Sequence, residues 1–133
     1  MFEVIESIPE EPVHFFVAPG ANFKPGNIGR LVEFGDNLVV DISNGNSAFG
    51  VLGDTKTPYD EFNPKDLVRI WPQRMVFRTD EFDKEHKYAI GNPLYASETG
   101  LITSKKPWDN AQIVARLIIP PSEEKICLEA LWL

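Results

Sequence analysis

A weak internal echo constrains this chain more than any other feature of its sequence. The segment Gly29-Arg-Leu-Val-Glu-Phe-Gly-Asp-Asn-Leu-Val-Val is answered by Gly91-Asn-Pro-Leu-Tyr-Ala-Ser-Glu-Thr-Gly-Leu-Ile. Each copy reads as strand, tight turn, strand. The first continues through Ser43-Asn-Gly-Asn into Ala48-Phe-Gly-Val-Leu, the second through Lys106-Pro-Trp-Asp-Asn into Ala111-Gln-Ile-Val-Ala-Arg-Leu-Ile. In this alignment Val114 takes the place of Gly50. The pattern predicts one β-meander used twice, over 28–54 and 90–119, which describes a closed scaffold rather than a reaction centre.

The remaining sequence agrees with an all-β reading. Period-two alternation recurs between Gly, Pro, Asn and Asp, and helical periodicity is almost absent. Strands are expected near 3–6, 13–17, 29–34, 38–42, 48–52, 67–71, 75–79, 88–90, 94–96, 101–103, 111–119 and 125–133. That is about twelve short strands, the pattern of a compact β-barrel or sandwich. Asn-Gly at Asn44-Gly45 is a strong hairpin signal, and Pro72 belongs at an edge, a bulge or a turn because it cannot donate to a ladder. With 133 residues the chain has the size of a single domain.

Composition removes several function classes. Thirteen basic against twenty acidic residues give a formal charge of −7, which repels phosphate backbones, so no nucleic-acid partner is expected. No apolar run approaches the roughly 20 residues of a membrane helix, and the N-terminus lacks the basic and apolar regions of a secretory signal. Cys127 is the single cysteine. With only His14 and His86 beside it, no Cys/His metal cluster assembles from one chain, and no cofactor is expected. Cytoplasmic synthesis fits this usage.

Chemistry-bearing residues are scattered rather than convergent. Asp80, Glu81, Asp83 and Glu85 stand among Lys84 and Lys87 in a segment that reads as solvated, whereas a general acid needs an apolar pocket to raise its pKa. Asp41-Ile-Ser lacks the glycine of an aspartic-protease loop. Cys127 sits mid-strand in Lys125-Ile-Cys-Leu-Glu, without the histidine and electropositive setting that activate a thiol. No catalytic residue is expected.

Interaction residues are easier to nominate. Residues 111–133 read as a hairpin in which Ile113, Ala115, Leu117 and Ile119 face Ile126, Leu128, Ala130 and Trp132. The opposite face of its last strand carries Cys127, Leu131 and Leu133, covered either by a second layer of the same chain or by a partner. Residues 1–12, with Phe2, Val4 and Ile5, read either as an arm that adds a strand to a neighbour or as the first strand of this fold. The loop 18–27, stiffened by two Pro-Gly pairs around Phe23, is a candidate contact loop. Trp108, in Lys106-Pro-Trp-Asp-Asn, has three readings: interface contact, local loop packing, or a sugar-stacking platform.

The run Gly29-x-x-Val, Gly35-x-x-Leu-Val-Val, Ala48-Phe-Gly-Val-Leu, then Ile90-Gly-Asn-Pro-Leu-Tyr, Thr99-Gly-Leu-Ile, Ile113-Val-Ala-Arg-Leu and a terminal Leu-Glu-Ala-Leu-Trp-Leu resembles small tailed-phage capsid decoration (cement) proteins. The resemblance covers roughly residues 28–133. It implies a non-enzymatic virion protein that binds the major capsid protein on the outer capsid surface and staples neighbouring capsomers, commonly as a homotrimer. A tail or baseplate β-module and a carbohydrate-binding module are the competing readings.

Overall fold

Apolar alternation is realised as two antiparallel sheets in the computed structural model, which describes residues 1–18, 27–35, 40–45, 47–54 and 67–132. Eleven strands form among the described residues: β1 (Phe2–Ser7), β2 (Val13–Phe16), β3 (Leu31–Phe34), β4 (Val40–Ile42), β5 (Gly50–Asp54), β6 (Leu67–Pro72), β7 (Met75–Thr79), β8 (Pro93–Ala96), β9 (Ile102–Thr103), β10 (Ala115–Ile119) and β11 (Leu128–Trp132). One sheet has the order β1-β7-β11-β10-β8-β9 and the other β2-β6-β5-β3-β4. The architecture is sandwich-like, since neither sheet closes into a full barrel.

Successive strand residues point to opposite faces, and the five-stranded sheet buries both of its faces. Leu31 and Val51, paired across β3 and β5, enter a large core with Met75, Phe77, Leu94, Leu117, Leu128 and Trp132 of the six-stranded sheet. Their neighbours Val32 and Leu52 turn the other way, into a second cluster with Val17, Val40, Val68 and Ile70.

The echo in the sequence is present as topology. In β2 to β6 and again in β7 to β11, the first strand pairs with the fifth, the fifth with the fourth, the fourth with the second and the second with the third. Backbone hydrogen bonds repeat in step. Gly29 N–H donates to the Leu52 carbonyl and Gly91 N–H to that of Leu117, each at 2.8 Å, while Leu52 and Leu117 donate back to Arg30 and Asn92 at 2.9 and 3.0 Å. Gly29 and Gly91 both have left-handed φ, 94° and 84°, a conformation a side chain disfavours. Irregularities follow Leu52 and Leu117 alike. Single parallel bridges, Val17 to Val40 and Phe82 to Ile102, tie the third strand of each unit to the chain beyond its first. Among the described strands, only β1 stands outside the repeat.

Several expectations need correction. The units are not meanders, because β5 and β10 return beside β3 and β8 instead of beside β4 and β9; alternation sets a strand's faces but not the edge to which the chain returns. Val32 pairs with Gly50 and Leu94 with Ala115, so Ala115, not Val114, takes the glycine's place. Residues 88–90 form no strand, and strand structure begins only at Ala115 in the segment 111–119. Ile119 is exposed because the register shift between Leu117 and Ile119 reverses which face it meets. Ile113 and Ile126, expected inside, lie outside strands and are exposed. Residues 1–12 begin with β1, an edge strand on this chain's own β7.

Candidate functional site

The residues nominated from sequence do not form one surface. Phe2 and Val4 are half-buried and pack on the larger core, whereas Ile5, skipped by the register shift of β1, is exposed. Phe23 and Leu133 lie outside the described residues. Cys127 and Leu131 are half-buried, and the face between them carries charge. Glu3, Arg78 and Glu129 lie side by side on β1, β7 and β11. Arg78 Nε lies 2.9 Å from Glu129 Oε1, and Arg78 Nη1 lies 3.4 Å from Glu3 Oε2. Hydrogen bonding and attraction from Glu129 hold the guanidinium above its ordinary pKa.

Trp108 packs locally. A Cβ on Gly45 would sit 2.8 Å from Trp108 Cη2, so the ring lies against the Gly45 turn, which has φ of 98°. The indole remains 36% exposed.

The acidic loop forms a hydrogen-bonded turn around Asp83 that leaves Lys84, Glu85 and Lys87 exposed. Asp83 Oδ1 accepts from Glu85 N–H at 3.0 Å, and its Oδ2 lies 3.1 Å from His86 Nε2 and 3.3 Å from Thr103 Oγ1. Ser97 Oγ accepts from the N–H groups of Thr99 and Leu101 at 3.3 and 3.0 Å. These groups line a polar groove of about 360 Å³ with Lys105 and Pro107. Their bonds tie the groove's walls together. Among the described residues no three His, Cys, Asp or Glu side chains gather to hold a metal ion.

Tyr88 reports on this turn. Its hydroxyl donates to the Asp83 carbonyl at 2.6 Å, and burial, followed by the Asp83 charge, pushes its pKa up to about 12. In the unfolded chain a tyrosine ionises near pH 10. The unfolded state therefore releases its proton first, and stability falls as pH rises from about 10 to about 12. Absorbance titration is expected to show one tyrosine ionising near pH 12, lost in Tyr88→Phe, whose melting temperature declines less over that window.

The most conspicuous exposed surface was not nominated from sequence. Phe34 and Phe49 stack with centroids 3.8 Å apart and planes within 2°, and Phe15 meets both edge-on at 5.3 and 5.5 Å. Such geometry suits aromatic quadrupoles. Yet Phe34 is 42% exposed and Val13, which begins β2, is 44% exposed. A groove of about 460 Å³ lined by Ile8, Pro9, Phe49, Pro72 and Arg74 adjoins this cluster. It shares Ile8 and Arg74 with a more apolar groove of about 450 Å³ that reaches Val76 and Leu131. The backbone between them is tight: Arg74 has φ of 71°, and Ile8 N–H donates to its carbonyl at 3.0 Å. Leu131 is thus one end of an apolar surface whose other end is the phenylalanine cluster. A signal existed in the repeat: Phe34 and Phe49 correspond to the smaller, buried Ala96 and Val114, so the first unit carries bulkier apolar groups where the second is covered.

The chain matches no protein-family model, and no curated protein matches it.

Proposed function

We propose that this chain is a non-enzymatic virion structural protein, a capsid decoration protein that binds the major capsid protein on the outer shell and stabilises contacts between capsomers. One observation carries the reading: an apolar surface, running from Leu131 to the stacked Phe34 and Phe49, is left exposed on a duplicated β-scaffold. Exposed apolar area of this kind mark protein contact sites. A rigid β-module with several modest contacts gains attachment strength from multivalency, and a homo-oligomer, with a trimer favoured, multiplies that gain. The resemblance to decoration proteins supplies the identity of the shell. Trp108, packed on Gly45, gives less support to a carbohydrate-binding module.

The test is a count of copies per particle by quantitative mass spectrometry, joined to a reconstruction. The expected result is a fixed ratio to the major capsid protein and density on the outer shell, both reduced by Phe34→Lys. A few copies confined to the tail or baseplate overturn the reading in favour of a tail module.

A further inference from the structure

We propose that the free edge of β2 is a strand-addition site. Its occupant is an extended segment of another protein, apolar at alternate positions and flanked by basic residues, lying antiparallel to Val13–Phe16. The inference rests on the capsid-binding reading for the identity of that protein. The internal repeat indicates what the edge lacks. β2 corresponds to β7, and β7 lies between β11 and β1. On β1, Phe2 and Val4 pair with Thr79 and Phe77, and the Phe2 ring lies 5.7 Å from that of Phe77. Under this strand Phe77 and Thr79 are both 0% exposed. β2 pairs with β6 on one side, and among the described residues no strand pairs with its other side. The corresponding inward residues are Val13, 44% exposed, and Phe15, half-buried against Phe34 and Phe49. The second unit completes its wall with β1, and among the described residues no strand of the first unit takes that place. A strand's unpaired N–H and C=O groups supply affinity in such additions, and pockets for alternate side chains supply specificity.

The chemistry of the occupant follows from what surrounds the edge. Exposed Glu10 and Glu11 stand one residue ahead of β2, before Pro12, and the whole chain carries −7, which favours basic flanks. The outward residue corresponding to Arg78 is the exposed His14, which lies opposite Arg69 where Arg78 lies opposite Glu129, so among the described residues the acidic partner that Arg78 has on the neighbouring strand is absent beside β2. A second copy of this chain fits poorly. The free edge of β1 is blunted by its irregularity at Ile5 and by Glu3 and Glu6, devices that protect edges from pairing. A β2-to-β2 pair brings the exposed Glu10 and Glu11 of both copies to one edge, and each chain carries −7.

The test uses the full chain and a synthetic peptide, Lys-Phe-Thr-Val-Thr-Phe-Lys, in two further versions N-methylated on one edge or on the other. The parent peptide is expected to bind and to slow amide exchange across Val13–Phe16. One methylated version loses about tenfold or more in affinity while the other binds as the parent does, because only one edge of an added strand faces the protein. Val13→Glu and Phe34→Lys weaken binding by a similar factor with the melting temperature retained. The proposal is overturned by equal binding of both methylated versions, by indifference to Val13→Glu, or by protection of β2 that rises with protein concentration when no peptide is present. Decorated particles whose β2 amides remain unprotected remove the edge site and leave the capsid reading standing. Peptide binding at β2 by a protein that does not decorate particles does the reverse.

Discussion

Trp132→Ala is expected to lower stability by about 3–5 kcal/mol, the usual cost of deleting a buried tryptophan. Trp132 is 2% exposed and ends β11 opposite Met75, inside the cluster that joins the two sheets. Its backbone also closes the preceding turn, with Arg74 N–H donating to its carbonyl at 2.8 Å. Truncation leaves a cavity that neighbours on both sheets fill only by separating from partners of their own. A domain of this class holds about 5–15 kcal/mol in all, so a large share is lost. Thermal unfolding followed by circular dichroism is expected to shift down by roughly 10–15 °C for a chain of this size. Trp108→Ala is the informative control, since that ring rests on one turn and costs about 1–2 kcal/mol. Equal losses at the two tryptophans would contradict the placement of the core.

The scaffold was legible in the sequence because its signals are local. Glycines at Gly29 and Gly91 and apolar alternation through Leu31–Phe34 and Leu128–Trp132 each fix backbone or facing without help from distant residues, whereas the Asn-Gly at Gly45 closes no hairpin, because β4 and β5 both pair with β3. What escaped depends on pairing. The irregularity after Leu117 exposes Ile119, and no composition rule marks where a ladder slips by one residue. The return of β5 to β3 depends on which edge is open when the chain arrives. The aromatic surface escaped for a related reason: Phe15 and Phe34 have the spacing of core residues, and they face inward as alternation requires. Whether an inward face is covered depends on a neighbouring strand, and β1 covers only one of the two units. Cys127 and Leu131 escaped in the opposite sense, because Arg78 arrives from β7 to interrupt the face they share.

The function proposed above depends on the two repeated units behaving as one rigid body, and a pair of glycines tests that dependence. Gly91 and Gly100 both hold left-handed φ, 84° and 78°. A Cβ on Gly91 meets nothing within 4 Å, whereas one on Gly100 would lie 2.6 Å from Ile42 Cγ2 and 3.0 Å from the Leu31 carbonyl oxygen. Leu31 N–H also donates to the Gly100 carbonyl at 2.8 Å, and Ser43 N–H to that of Leu31 at 2.9 Å. Gly100 therefore lies where the second unit's backbone is laid on β3 and β4 of the first. Gly91→Ala is expected to cost only the backbone conformation, about 1–2 kcal/mol. Gly100→Ala adds the cost of overpacking, about 1–3 kcal/mol more, since the backbone oxygen it meets moves only if the seam opens. Denaturant unfolding measures the difference, and amide exchange locates it: faster exchange at Leu31 and Ser43 is expected in Gly100→Ala and not in Gly91→Ala. Equal costs, with no loosening at Leu31, would mean that the units are not joined through this contact. Rigidity across the seam would then have to come from the shared core alone.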